Sequence, residues 1–251
     1  MHIAALAVLA VPVGLALARI AAWVPDLGGG GYGRPSRRMR TAIVIVSALA
    51  FSIVGAVVGS EWTLVPILIV TSALITLSAV DIDRYRLPNR LLFPSIAVAF
   101  VTIVVVSIST GNADHIVPSV VGGVVYFGLL FVPSVISPAG LAFGDVKLAL
   151  LLGLTIGWTR SSIPHALSLV INALLLGMIL GIVSGVLVGL GRRVFGPDFL
   201  ADPDEPEPIE GEEPARPSMW RTAFPFGPAL ALSAMVITLA NSSLVTGPSL
   251  F

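Results

Sequence analysis

The 251-residue chain contains no cysteine, which excludes disulfides, thiolate metal sites and a cysteine nucleophile together. Charge is scarce as well: Asp, Glu, Lys and Arg make up 11% of the residues, whereas soluble domains typically carry about 25%. The three histidines, His2, His115 and His165, are scattered rather than set at metal-ligand spacing, so neither a metal nor another cofactor is expected. Fourteen basic and fourteen acidic residues cancel, leaving no net charge that would mark a nucleic-acid partner. What the chain has in abundance is hydrocarbon. It is 56% hydrophobic, with a mean hydropathy of +0.98, and its natural solvent is a lipid bilayer.

A membrane helix needs roughly 20 mostly apolar residues, and runs of about that length recur at about 2–24, 41–59, 62–80, 91–109, 116–136, 146–159, 165–190 and 222–241. The expected fold is an all-α polytopic transmembrane helical bundle with about eight spans. The sixth run is short, and Gly153 and Gly157 within it point to close packing against neighbouring helices rather than against lipid. The first run lacks the basic start of a signal peptide. Its positive charges follow the apolar stretch, so it is read as a retained span.

Lys and Arg set the orientation. With the loop at 25–40 in the cytoplasm, alternation puts Arg34, Arg37, Arg38, Arg40, Arg84, Arg86, Arg90, Lys147, Arg192, Arg193, Arg216 and Arg221 on that side. Only Arg160 falls opposite, and Arg19 lies inside the first span. Both termini are therefore expected outside, in a cytoplasmic (inner) membrane. The segment 197–217 mixes eight acidic residues with repeated prolines, a composition that cannot bury enough apolar area to fold alone. It reads as a flexible acidic cytoplasmic loop. The Gly28–Gly31 run lacks the Lys-Ser/Thr ending of a phosphate loop and reads as a turn.

Two aspartates interrupt this pattern where apolar runs meet short loops: Asp81 in Val80-Asp81-Ile82-Asp83-Arg84-Tyr85-Arg86-Leu87-Pro88-Asn89, and Asp145 in Ala142-Phe143-Gly144-Asp145-Val146-Lys147-Leu148. A carboxylate at the edge of hydrocarbon is costly unless paired, wetted or used. The same alternation places both on the cytoplasmic side, 64 positions apart, so two helices must bring them together. Hydrolysing a peptide bond with two carboxyls requires one ionised to take a proton from water and one protonated to polarise the carbonyl, a division that closeness and partial desolvation enforce. Gly140 and Gly144 remove bulk beside Asp145 and let another backbone approach. Pro88 ends or bends the segment after Asp81. Arg84, Arg86 and Arg90 read as topology anchors at the headgroups. Asp83, two positions from Asp81, points away from it on a helix and reads as a solvated or salt-bridged neighbour.

These two segments, each followed by an apolar helix, resemble the two motifs of the prepilin peptidases, the type IV leader peptidases of the GxGD aspartic class. Phe224-Pro225-Phe226-Gly227-Pro228-Ala229-Leu230-Ala231 is similar to a further pattern near the end of those enzymes. The resemblance covers about 62–241. It implies Asp81 and Asp145 as the catalytic pair, with Gly144, Lys147, Asp83, Arg86 and Pro88 supporting them or lying beside substrate. It also implies cleavage of the short basic leader of prepilin-like proteins on the cytoplasmic side, just ahead of their hydrophobic N-terminal helix, without a metal. The chain departs from the family pattern in two places. Ala142 stands at the first glycine of the glycine-x-glycine-aspartate motif. The cysteine-containing cytoplasmic domain of bifunctional members has no counterpart, so N-methylation is not expected. The expected organisation is residues 1–61 as N-terminal helices with a short basic loop, 62–241 as the peptidase membrane core including loop 197–217, and 242–251 as a short tail. A transporter using interfacial aspartates for cation or proton coupling is the competing reading; it predicts paired broken helices or repeated halves, and no internal repeat is visible. Neither the particular prepilin nor the oligomeric state follows from the sequence.

Overall fold

A computed structural model of the protein describes residues 2–23, 37–58, 62–84, 87–136, 141–195 and 226–242. Among these residues there is no strand. They form eight α-helices: α1 (His2–Trp23), α2 (Arg37–Val58), α3 (Leu64–Arg84), α4 (Asn89–Ser109), α5 (Ile116–Ile136), α6 (Phe143–Trp158), α7 (Ile163–Phe195) and α8 (Gly227–Asn241). A short 3-10 turn, Ala113–His115, precedes α5. Every expected span falls on one helix. The boundaries differ where polar residues extend a helix beyond its apolar run: α2 begins at Arg37 with a basic first turn, and α7 continues through Arg192 and Arg193 to Phe195. Helix α8 begins at Gly227 with Pro228 in its first turn, where a missing backbone N–H costs nothing; residues 222–225, expected in the same span, lie outside the described residues.

Among the described residues, five helical segments are long and apolar enough to cross a bilayer: Arg37–Val58, Leu64–Ile82, Asn89–Ser109, Ala113–Ile136 and Ile163–Gly191. The apolar part of α1, Ala5–Ala21, and α8 are shorter, and α6 has 16 residues. The fold is that of a multi-pass membrane protein.

Helix α6 occupies the centre. All its residues from Leu151 to Trp158 are buried, as expected of a helix that is apolar all round, and it packs against α4, α5, α7 and α8. Its closest partner is α5. A Cβ added to Gly122 of α5 would lie 2.7 Å from the Gly153 carbonyl oxygen and 3.1 Å from Gly157 Cα. Glycine is therefore what permits the two backbones to meet, the packing expected for Gly153 and Gly157. The Ser119 hydroxyl donates across the seam to the Leu154 carbonyl at 2.7 Å.

The far end of α6 is tied down by polar contacts. Trp158 Nε1 donates to Ser107 Oγ at 2.8 Å, and His115 Nδ1 lies 2.8 Å from the Trp158 carbonyl oxygen. A carbonyl only accepts, so this ring nitrogen carries the proton. Arg160 also bonds to Asn241 at the end of α8. The opposite end is left to the candidate site, where α3 finishes and α4, α6 and α8 begin.

Candidate active site

Each part of the site is placed by local chain chemistry. Pro88 is the extended residue before α4, with φ −70° and ψ 127°, and its carbonyl accepts the N–H groups of Leu91 and Leu92. Proline thus fixes the entry of the chain into α4. Ala142 plays the same part before α6, at φ −66° and ψ 137°, and its carbonyl accepts the Asp145 N–H at 3.0 Å. At that φ any L residue is unstrained, which explains why alanine can stand at the first glycine of the motif. Asp145 consequently lies in the first turn of α6, where free N–H groups favour negative charge.

Asp81 and Asp145 are each only 5% exposed, and they meet over the start of α8. The Gly227 backbone N–H donates to Asp81 Oδ2 at 3.1 Å. A Cβ added to Gly227 would lie 2.8 Å from that oxygen and 3.6 Å from Asp145 Oδ1. Three helices distant in sequence therefore deliver two carboxyls and one backbone donor to one point. The ring of Phe226 sits on Gly181 of α7, in space that a Cβ there would take, and this contact seats the beginning of α8.

The supporting residues divide into those brought to the pair and those elsewhere. Gly144 faces Leu87, whose Cβ would lie 3.0 Å from an added Cβ; what approaches this glycine is the Leu87 side chain, not the backbone that the sequence led us to expect. Lys147 points to α4, donating to Asn89 Oδ1 at 2.8 Å, with its ammonium 4.7 Å from the Phe143 ring centroid and 5.6 Å from that of Phe93. Its charge is held by an amide and two aromatic faces, locking the start of α4 to the start of α6. Asp83 stands on the last turn of α3. Arg86 and Gly140 lie outside the described residues. Among the described residues no group of three or more His, Cys, Asp and Glu could hold a metal ion.

The sequence reading did not assign Gly227 to the site, although it singled out the Phe226-Gly227-Pro228 segment. The available signal was a glycine immediately before a helix-starting proline. Asn89, the partner of Lys147, was likewise legible only as the residue after Pro88.

Fold and site together define a class: a multi-pass helical membrane protein with two buried carboxyls converging at one end of its bundle. Residues 67–186 match the model of the type IV leader peptidase family, and that match supports a protein of the prepilin peptidase kind. The match indicates a peptidase, and the apolar helices place it among multi-pass membrane proteins. The matched segment runs from α3 into α7 and contains both aspartates; α1, α2 and α8 lie outside it. No curated protein and no solved structure matches the chain significantly.

Proposed function

We propose that the protein is an aspartic endopeptidase that removes the basic leader of type IV prepilin-like proteins, with Asp81 and Asp145 as its catalytic residues. The convergence of both carboxyls on Gly227 is the observation that supports this reading. Two acids so close and so buried resist simultaneous ionisation, which matches the protonation state that peptide hydrolysis needs. The ionised carboxylate takes a proton from water as the oxygen attacks the scissile carbonyl carbon. The other carboxyl gives its proton to the carbonyl oxygen. Collapse of the tetrahedral intermediate breaks the C–N bond: one of its hydroxyls returns a proton to the second carboxylate as the carbonyl re-forms, and the first carboxyl gives its proton to the leaving amine, so the pair ends with one proton, as it began.

The excess of Lys and Arg in alternate loops supports a cytoplasmic-membrane location with the pair facing the cytoplasm. Residues 62–241 would then be the peptidase core and 197–217 a solvated connector. The absence of cysteine from the chain supports cleavage without N-methylation. The test is to mix purified protein with a type IV prepilin in lipid and follow the product by mass spectrometry. A leader-shortened product with a free N-terminus is expected; an intact substrate after prolonged incubation rejects the proposal.

A further inference from the structure

An apolar cavity of about 400 Å³ lies between α2, α3 and α8. Its walls include Val46 and Ile53 of α2, Ala79 and Ile82 of α3, and Pro228 and Leu232 of α8. Among the described residues no charged side chain lines it, and the only polar ones are Thr71 and Ser78. The Thr71 hydroxyl already donates to the Ile67 carbonyl at 2.6 Å. The occupant must therefore be apolar and require little hydrogen bonding.

Shape and position restrict it further. The lining residues on α8 run from Pro228 to Leu239, a rise of about 16 Å at 1.5 Å per residue. The cavity thus follows the helix axes. Alanines at 42, 50, 79 and 231 keep its walls low, as at surfaces where one membrane helix lies along another. One end reaches the catalytic pair through the chain itself: Ile82 follows Asp81, and Pro228 follows Gly227. A polypeptide whose scissile bond sits between the carboxyls can continue directly into the groove.

We infer that this groove is the docking surface for the hydrophobic helix of the substrate, receiving the chain on the carboxyl side of the cleaved bond. The inference rests on the peptidase reading above and adds where the rest of the substrate lies. Two of the three walls, α2 and α8, lie outside the segment that matches the family. The groove would therefore let helices beyond that segment select among prepilin-like proteins by the shape of their apolar face. It also divides recognition in two, with the carboxyls acting on the peptide bond and the groove holding the helix.

The experiment uses the full chain in lipid nanodiscs, with a type IV prepilin that retains its leader and hydrophobic helix. A photoreactive phenylalanine analogue is placed at Val46 or Leu232 in the groove, or at Ile179 on α7 as a control, in a chain that also carries Asp145→Asn. Val46, Leu232 and Ile179 are 47%, 56% and 58% exposed, so none is a packed core position. Crosslinks from Val46 and Leu232 to the prepilin helix, and none from Ile179, are expected. Crosslinks only to phospholipid, only to a second copy of the chain, or equally from all three positions overturn the groove assignment. In the chain with both aspartates, Val46→Trp and Leu232→Trp should lower kcat/KM for the prepilin about tenfold or more with unchanged thermal stability, mainly through KM. Unchanged kcat/KM in both variants also overturns the assignment. Wild-type cleavage without groove crosslinks sinks the groove alone, whereas a wild type that does not cut sinks the peptidase reading and the groove with it.

Discussion

The backbone N–H of Gly227 donates to Asp81 Oδ2 at 3.1 Å across 146 positions of sequence, leaving no room for a side chain at position 227. A Cβ there would stand 2.8 Å from the carboxylate oxygen. We predict that Gly227→Ala displaces Asp81 and lowers kcat by about 10²-fold, the scale of a misplacement near 1 Å, while membrane insertion is retained. Cleavage kinetics and a thermal melt of the purified variant check this. Wild-type turnover would show that the pair does not depend on the start of α8.

The acids themselves are tested by amide substitution. Asp81→Asn and Asp145→Asn are each predicted to reduce cleavage by at least about 10²–10⁴-fold, the usual contribution of general acid/base catalysis. The double variant should be hardly worse than either single one, because the two act as a unit. Asp83→Asn is the comparison and should retain substantial activity. A dead Asp83→Asn beside an active Asp81→Asn would move the role to the neighbouring carboxyl.

A shared proton sets the pH dependence. At low pH both carboxyls are protonated and no base remains, so activity falls as pH drops. At high pH both are ionised and no acid remains, so it falls again. The predicted kcat/KM profile is a bell whose limbs belong to the pair rather than to either residue. A flat profile through the carboxylate range, measured with substrate and detergent held constant, would be incompatible with the mechanism.

Packing around α6 gives a stability prediction independent of activity. Gly122→Val places a branched side chain against the Gly153 carbonyl and Gly157 Cα, where even a Cβ would come within 2.7 and 3.1 Å. Overpacking of this kind typically costs about 1–3 kcal/mol. The melting temperature of the purified protein should fall clearly below that of wild type, whereas Gly111→Ala, with open space around the added Cβ, tests only the strain of a residue at φ +77°. Equal melting of Gly122→Val and wild type would show that the α5–α6 seam can open without cost.

Topology can be read with single cysteines because the chain has none. Cysteines at Ser36 and Ser218 should be protected from an impermeant thiol reagent in intact cells and react after permeabilisation. Labelling of either in intact cells would reverse the orientation inferred from Lys and Arg.

The sequence by itself determined that the chain is a bundle of apolar helices, because each run of about 20 apolar residues must satisfy its backbone hydrogen bonds internally in lipid. Helix parity alone put Asp81 and Asp145 at the same end, and the residues around them carried the family resemblance. Local rules also accounted for Pro88 at the head of α4 and for the two glycines of α6 that pack against α5. Parity fixes an end of the bundle, however, and not a distance. That the two carboxyls converge was decided by α6 being buried at the centre, by Lys147 holding α6 to α4 through Asn89, and by α8 inserting its first residue beneath both acids. Gly227 has no side chain to announce a role; its contribution is a backbone N–H and an empty volume, and both acquire meaning only from what the folded chain brings against them.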